Sequence, residues 1–539
     1  MQISDNSQKH VRNLILVFII LNTFLLSGVR LLPFIDLPNH LAEATIFKFY
    51  EQGNLLSQYY QPTPWYFPNT FHTVFCSLFP SVEWGNRVFH VLYLILLQAS
   101  VFLVIKQLKG NPWYGLLAIL FTYNYNVTFG FVGFAISLPI LILLFYAILR
   151  YIHAEKFYLN FLIALLLLLL FFMHAQNALL GLAIYGLMLL YHYRKSPKKI
   201  VIRGLLVPLP LVILIFSWWF TQGPQKEDGS TWPYLLEYYK TSYIPNFSLR
   251  FRIVVFDNFQ LREGAMGLLI ASFFFFSVVI PVLAAKPWRK LRGQWTSPNL
   301  IYAGIFLLIT STCYFFAPDK LPGQTPIFQR FCTIVMLSFI IAGSILLKDT
   351  KLPWLKYLVV VVVAFYTLLW GEYVYNFNRV NKDFNASFFE GIPPSKTLAG
   401  LIYDNAYRGR KVYIHFPNYF LVWKQGISAS KIIDYRFGVV RRVESDKALP
   451  FYEELIGEQY SFQPQYKDIA YLLVRGIAPV SNDLNLQGFT LLKERRPWRI
   501  YRNRRFQNSV LNWRHNIYKD LYLCRRQSGK LMRINTLNR

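Results

Sequence analysis

Charged residues are scarce in this chain: only 15% of its 539 residues are Asp, Glu, Lys or Arg, whereas 54% are hydrophobic and 18% are aromatic. The chain is too apolar for the three or four soluble domains that its length alone would suggest. Cysteine is also rare, and the four residues are scattered, without a CxxC pair: Cys76, Cys313, Cys332 and Cys524. This pattern supports neither a zinc site nor a disulfide framework.

Long apolar runs recur over the first two thirds of the chain. Runs of about 18 to 20 apolar residues can cross a bilayer as helices. The sequence predicts about eleven membrane helices, near residues 12–29, 86–105, 113–129, 132–150, 157–173, 175–192, 204–220, 265–285, 299–316, 329–347 and 355–374. We therefore expect a polytopic integral membrane protein, with membrane lipids as its surroundings.

Lys and Arg outnumber Asp and Glu by 56 to 27, which gives a formal net charge of +29. Nucleic acid is a common partner of so basic a chain, but basic residues also collect in the cytoplasmic loops of membrane proteins. Short connections such as TYNYNVTFG and MHAQN contain no Lys or Arg, whereas five other loops are basic: 106–109, 150–156, 194–203, 286–292 and 348–356. The alternation predicts a cytoplasmic N-terminus, a C-terminal domain outside and no nucleic-acid partner.

The composition changes past about residue 375, where apolar runs shorten and charge rises. KVYIHF, AYLLVRG, GFTLLKER and PWRIYRN are typical of short strands, and the last two predict a hairpin about Arg496 and Pro497. SASKIIDYRFGVVRRV and LPFYEELIGEQY are interpreted as helices. The predicted fold class is mainly α: a membrane helix bundle over residues 1–375 with a large first outer loop at 30–85, a small extramembrane α/β domain at 376–505 and a basic tail at 506–539.

The predicted first outer loop contains the main candidates for catalytic residues. Its sequence RLLPFIDLPNHLAEATIFKFY contains Asp36, His40 and Glu43. Asp36 precedes a Leu-Pro-Asn sequence typical of a helix start, so its side chain could cap a helix. An acidic side chain at a membrane surface, in front of a hydrophobic bundle, is also a candidate catalytic group. The two roles are compatible.

The layout resembles the C-type (GT-C) glycosyltransferase superfamily, in which an essential Asp lies in a large outer loop just after the first helix. Asp36-Leu37-Pro38-Asn39-His40 is similar to a D-x-P-x-H opening found among bacterial membrane glycosyltransferases. GFTLLKERRPWRIYRN is similar to the terminal hairpin of uncharacterised members. A second acidic motif of the Asp-Asp or Asp-x-Asp kind, present in several branches, is missing here.

The resemblance implies an inverting enzyme in a bacterial inner (plasma) membrane. It would move a sugar from a polyprenyl-phosphate donor to a lipid, glycan or protein acceptor on the outer (periplasmic or lumenal) face. Asp36 would then be the general base that removes a proton from the acceptor hydroxyl. The sequence identifies no cofactor, and it leaves open whether a divalent metal is needed.

Charge and position in the predicted topology indicate further candidate site residues. His40 could orient Asp36 or join it on a metal, and Glu43 is a second candidate carboxylate or part of a solvated helix face. Candidate phosphate-binding cations, which could equally extend to lipid headgroups, are Arg330, Lys320 and Arg262, with Arg250 and Arg252 as rivals. Candidate cavity-lining residues, which could equally be structural, are His174, Arg87 and His90.

Two other classes of function compete with the enzyme. A transporter or flippase of lipid-linked or amphipathic solutes should show two related halves or acidic residues at mid-membrane depth, and the sequence shows neither halves nor many ionisable groups within the predicted spans. A non-catalytic membrane scaffold with a basic outer domain would bind anionic lipid or polymer. It would not depend on the Asp36 carboxylate.

Overall fold

The computed structural model describes residues 5–50, 55–64, 66–221, 232–260, 265–284, 297–320, 325–348, 353–429, 439–442, 469–477 and 484–504. The chain divides into two compact units. The first comprises the described residues within Met1–Lys382, Ala406–Val412 and Ile432–Val443. The second comprises those within Asp383–Asn405, Tyr413–Lys431 and Glu444–Arg539.

The chain is mostly helical. Its described α-helices, numbered α1 to α17 in chain order, are Asp5–Ser27, Leu37–Phe49, Phe71–Ser77, Val82–Gln107, Tyr125–Phe129, Val132–Ala154, Phe157–Met173, Ala175–His192, Pro197–Leu206, Leu209–Thr221, Trp232–Ser242, Phe247–Val255, Ala265–Ala284, Pro298–Phe316, Cys332–Leu346, Pro353–Val380 and Tyr419–Lys424. Short 3₁₀-helices cover Leu55–Gln58, Pro112–Phe121, Asp257–Phe259, Phe328–Phe331, Ala386–Phe389 and Phe416–Asn418.

Six described helices are long and apolar enough to cross a membrane: Ser7–Ser27, Val82–Gln107, Val132–Ala154, Pro298–Phe316, Phe328–Leu346 and Pro353–Val380. The number rises to 7 if α9 and α10, which are bent by 48° at their junction, form one span. Phe157–Met173 and Met266–Ile280 are apolar but shorter. These helices indicate a multi-pass membrane protein, and the count of about eleven stays a prediction.

One predicted membrane helix is wrong in form. The segment near residues 113–129 is divided into the 3₁₀-helix Pro112–Phe121 and the five-residue helix α5. The division falls at Asn124, whose side chain accepts hydrogen bonds from the backbone N–H groups of Asn126 and Val127 and so starts a new helix. The Asn124 amide also donates to the Tyr93 hydroxyl at 2.7 Å. Polar capping thus interrupts an otherwise apolar run.

The centre of the first unit is formed by α6, of which 83% of the most apolar stretch is buried, compared with 28% for α1. α6 packs against α4, α7 and α8. Gly181 on α8 allows this close approach, because a Cβ atom there would lie 2.8 Å from a Leu144 methyl carbon. Dense packing around α6 provides the rigid frame on which the outer-loop elements rest.

The predicted first outer loop is partly ordered into helices. α2 packs against α3 and α4. The strand β1, Tyr60–Pro62, pairs antiparallel with β4, Val440–Arg442, which also belongs to the first unit. The Thr63 N–H and hydroxyl groups both donate to the Val439 carbonyl, at 2.8 and 3.0 Å. A segment far along the chain therefore holds the end of this loop.

The second unit contains a five-stranded mixed sheet in the order β3-β2-β5-β7-β6. Its strands are β2 (Thr397–Ile402), β3 (Ile427–Ser428), β5 (Tyr471–Arg475), β6 (Phe489–Arg495) and β7 (Trp498–Asn503). β2, β3 and β5 run parallel, and β7 and β6 form an antiparallel hairpin. The hairpin about Arg496 and Pro497 and the strand in AYLLVRG are confirmed.

Other predictions in this region fared differently. KVYIHF is not a strand, because residues 411–415 form an irregular turn and Phe416 begins a 3₁₀-helix. In the predicted helix 428–443, Ser428 and Val440–Arg442 lie in strands, whereas 430–438 lie outside the described residues. The predicted helix 449–460 and the tail 506–539 also lie outside them.

Candidate functional site

The backbone of Asp36 is held by the C-terminal end of α5, Thr128 and Phe129. The Ile35 N–H donates to the Thr128 carbonyl at 3.1 Å, and the Asp36 N–H donates to the Phe129 carbonyl at 2.9 Å. These bonds fix the acid at the start of α2 independently of its own helix.

Gly130 makes this contact sterically feasible. Its φ is +91°, a conformation that side chains disfavour, and a Cβ atom there would lie 2.6 Å from the Asp36 nitrogen and 2.8 Å from the Leu37 nitrogen. Only glycine fits between α5 and the start of α2 without moving Asp36. Sequence reasoning missed this residue, although a Gly directly after a short polar helix signals a left-handed end.

Asp36 occupies the N-cap position of α2, but its side chain makes no capping hydrogen bond. The capping interpretation is therefore wrong for the side chain. The residue is partly exposed, and its carboxylate attracts the guanidinium of Arg330 electrostatically. The Asp36 backbone bonds to Phe129, and the Phe131 ring contacts the Arg330 guanidinium. The same short segment therefore adjoins both the acidic residue of the first outer loop and the arginine at the beginning of the Phe328–Leu346 span.

Arg330 is buried, with 8% of its surface exposed. Its Nε–H donates to the Pro326 carbonyl at 2.7 Å, and Nη1 lies 3.3 Å from His174 Nε2. The guanidinium carbon lies 4.0 Å from the centre of the Phe131 ring, a distance typical of a cation–π contact. Nη2 hydrogen-bonds to no residue that the structure describes. One terminal nitrogen of a firmly held guanidinium therefore stays uncommitted.

His174 lies between α7 and α8, and 6% of its surface is exposed. Because Arg330 can only donate, His174 Nε2 accepts and the proton resides on Nδ1. Within the described parts of the chain, that Nδ1 is buried and has no hydrogen-bond partner. Burial, and then the charge of Arg330, hold the pKa of His174 well below its ordinary value. His174 is therefore a neutral acceptor beside a cation.

A second polar group surrounds His40. Its Nδ1 lies 3.4 Å from Glu43 Oε2, and its ring centre lies 5.8 Å from that of His72. Glu43 is buried, with 7% of its surface exposed, so it does not lie on a solvated helix face. His72 Nε2 lies 3.1 Å from Asn86 Oδ1. Burial, followed by the charge of His40, holds the pKa of His72 well below its usual value.

The described residues offer no ready set of metal ligands. Within those residues, no group of three or more His, Cys, Asp or Glu side chains is arranged to hold a metal ion. The proposed pairing of His40 with Asp36 on a metal therefore lacks a third ligand among the described residues.

Of the other predicted cations, those that the structure describes do not join this site. Lys320 is exposed, and Arg262 lies outside the described residues. Arg250 is fully buried and donates to the carbonyls of Ile244, Tyr314 and Ala317 at 3.0, 2.6 and 2.9 Å. Its donors are used to cap the end of the Pro298–Phe316 helix, so Arg250 has a structural role. Arg252 is exposed and lies 3.9 Å from Asp257.

The two remaining cavity candidates on α4 are engaged elsewhere. Arg87 is partly exposed, and its guanidinium carbon lies 5.7 Å from the Trp84 ring. His90 is buried, and its Nδ1–H donates to the Asn86 carbonyl one turn earlier at 2.8 Å. The His90 ring also contacts Phe34 at 5.4 Å between centres. Both arrangements are those of packing residues.

A series of buried polar residues, which sequence reasoning missed, supports the backbone of Arg330. The Asn126 amide donates to the Arg330 carbonyl at 2.9 Å and lies 3.4 Å from the Thr333 hydroxyl. That hydroxyl donates to Asn258 Oδ1 at 2.8 Å. The signal was present as four polar residues within TYNYNVT, which stood out only for their lack of charge. Asn126, Thr333 and Asn258 together fix the backbone that carries the Arg330 guanidinium.

No protein-family model matches the chain, and no curated protein sequence is significantly similar to it. The fold and the site define the class: a multi-pass membrane protein in which a partly exposed acidic residue and a buried, histidine-supported arginine adjoin the same segment between α5 and α6.

Proposed function

We propose that this protein is a membrane glycosyltransferase of the GT-C type, which moves a sugar from a polyprenyl-phosphate donor to an acceptor hydroxyl on the outer face. The observation that carries the proposal is that Asp36 and Arg330 adjoin the same segment: the Asp36 N–H bonds to the Phe129 carbonyl, and the Arg330 guanidinium lies on the Phe131 ring. The Asp36 side chain is not used as a helix cap, and Nη2 of Arg330 is bonded to none of the described residues. An acid and a cation placed in this way match the two charge demands of the reaction.

In the proposed reaction, Asp36 accepts the proton of the acceptor hydroxyl as its oxygen attacks the anomeric carbon. The bond between that carbon and the phosphate oxygen breaks, and the electron pair leaves with the lipid phosphate. Arg330 stabilises the departing phosphate by charge and hydrogen bonding through Nη2. Attack from the side opposite the phosphate inverts the anomeric configuration. His174 positions the guanidinium and touches no reacting atom in this scheme.

The remaining assignments follow from the same proposal. The bundle has about eleven spans in a bacterial inner membrane, the N-terminus is cytoplasmic, and the domain of residues 376–505 is extramembrane on the outer face. Asp36 follows the C-terminal end of α1, so transfer on the outer face needs a cytoplasmic N-terminus. Labelling of single introduced cysteines with a membrane-impermeant reagent tests it: positions at 383–405 should react in intact cells and positions at 194–199 should not.

Transfer by the purified full-length protein in lipid vesicles tests the activity, with a panel of labelled polyprenyl-phosphate sugars. Asp36→Asn should lower transfer by at least about a hundredfold, as expected for loss of a general base. Glu494→Gln is the matched control, because Glu494 pairs with Arg496 and Arg499 in the terminal hairpin. Equal loss in both variants, or none in Asp36→Asn, would refute the assignment. Passage of intact donor across the bilayer without transfer would favour a flippase.

A further inference from the structure

The helix α9 (Pro197–Leu206) exposes apolar side chains along one side. The exposed fractions are large for residues of a helix that packs on a bundle: Val201 59%, Ile202 45%, Leu205 65% and Leu206 62%. The apolar strip continues past the 48° bend onto α10, through Leu209 46%, Ile213 57%, Phe216 54% and Phe220 79%. A continuous apolar strip of this length on a membrane protein is suited to contact lipid chains.

An adjoining side of α9 is fastened to the bundle by polar contacts. Glu155 lies 3.3 Å from Arg203 Nη2 and 3.5 Å from Lys199 Nζ. The Tyr193 hydroxyl donates to Glu155 at 2.8 Å, and this bond, with the two cations, holds the pKa of Glu155 below its usual value. The Tyr185 hydroxyl donates to the Arg203 carbonyl at 3.1 Å. These contacts fix the roll of α9, and so keep its apolar side outward.

Some of the cations at the start of α9 are held by neighbouring residues, and others are not. Lys199 and Arg203 are held by Glu155. Arg194 rests on the Tyr191 ring at 4.8 Å and donates to the Tyr191 carbonyl at 2.9 Å. Lys195 and Lys198 are exposed, and neither forms an ion pair or a side-chain hydrogen bond with any part of the chain that the structure describes. Two lysines therefore stay available beside an apolar strip.

We propose that α9 lies in the membrane interface and that Lys195 and Lys198 together bind the phosphate headgroup of an anionic phospholipid. The apolar strip sinks into the acyl region while the ammonium groups reach the headgroups, as long basic side chains do at helix ends. The 48° bend turns α9 away from the direction of α10, which allows α9 to follow the membrane surface while α10 enters the bilayer. This site is independent of the proposed glycosyl transfer.

The test is a titration of the full-length protein in detergent with phosphatidylglycerol and with phosphatidylcholine of the same acyl chains, read by native mass spectrometry. The site variant is Lys195→Gln/Lys198→Gln. The charge-matched control is Lys106→Gln/Lys109→Gln, two exposed lysines in another basic loop. A second control, Lys199→Gln, removes a neighbouring lysine that Glu155 already holds.

Each lysine near an anionic surface contributes about a fivefold increase in affinity. The site variant should therefore bind phosphatidylglycerol about twenty-five-fold more weakly than the wild type. Phosphatidylcholine binding should not change, and the two controls should stay within about twofold of the wild type. Unchanged phosphatidylglycerol binding in the site variant, or an equal loss in the Lys106/Lys109 control, would overturn the proposal. Displacement of the lipid by millimolar inorganic phosphate would also overturn it, because a soluble anion would then be the occupant.

Discussion

Arg330 Nη1 lies 3.3 Å from His174 Nε2, although 156 residues separate the two along the chain. The histidine is buried and neutral, and it offers the arginine an acceptor without a competing negative charge. The guanidinium therefore keeps its full positive charge for another partner. A carboxylate in the place of His174 would have neutralised it.

Replacement of His174 tests this support. His174→Ala removes the acceptor, and loss of a hydrogen bond to a charged group should weaken binding of a short-chain prenyl phosphate about tenfold or more. His174→Gln restores an acceptor oxygen and should recover most of that affinity. Isothermal titration calorimetry with farnesyl phosphate measures both. If the two variants bind equally poorly, His174 serves packing and not Arg330.

Arg330→Lys separates charge from geometry. A lysine keeps the positive charge, but its single nitrogen cannot reproduce the bonds to Pro326 and His174 and still present a free donor. We expect the KM for the lipid-phosphate donor to rise at least about tenfold, with a smaller change in kcat. Lys320→Gln is the control, because Lys320 is exposed and was a rival phosphate ligand. A larger effect of Lys320→Gln would reverse the assignment.

Gly130→Ala should disturb Asp36 without touching any charge. The new methyl group would lie 2.6 Å from the Asp36 nitrogen and would sit at a φ of +91°, which costs about 1–2 kcal/mol even without a clash. Both thermal stability and transfer should fall. Gly186→Ala on α8, where nothing lies within 4 Å of the new atom, should instead stabilise slightly. Thermal unfolding in detergent compares the two, and equal behaviour would contradict the close contact.

His72 should make the protein acid-sensitive. Its folded-state pKa is depressed by burial and by His40, so below about pH 6.5 the unfolded chain binds a proton that the folded chain does not. Stability is therefore full above about pH 6.5 and falls as the pH decreases toward the folded pKa, by up to about 1.4 kcal/mol per pH unit. His72→Asn should flatten this dependence, whereas replacement of the exposed His10 should not. Melting temperatures across the acidic range measure the slopes.

Much of the architecture could be read from local patterns. The terminal hairpin follows from alternation around Arg496 and Pro497, and the membrane helices follow from runs of apolar residues. The strand Thr397–Ile402 was missed because TLAGLI is a short apolar run without alternation, which does not distinguish a buried strand from a helix. The break at Asn124 was missed because a single capping residue within an apolar stretch is a weak signal.

The site was predictable as a set of residues but not as an arrangement. Asp36, Arg330 and His174 were each chosen for charge or position, with separate roles. Their association depends on tertiary contacts: the Gly130 turn, the Phe131 ring and the Asn126 amide that holds the Arg330 carbonyl. Arg250 shows that a structural role can be equally hidden from the sequence. Nothing in RFRIVV indicates that Arg250, rather than Arg252, would be buried and would donate to three carbonyls.

The pair of backbone hydrogen bonds that fixes Ile35 and Asp36 to residues 128 and 129 has a consequence for engineering. The first outer loop cannot be transplanted alone. A graft of residues 30–50 into another bundle would carry the carboxylate but not residues 128 and 129, which hold its backbone. A chimaera that is meant to exchange acceptor specificity must move the α5–α6 link together with the loop. Recombination points placed after residue 130 would keep the two segments in one parent.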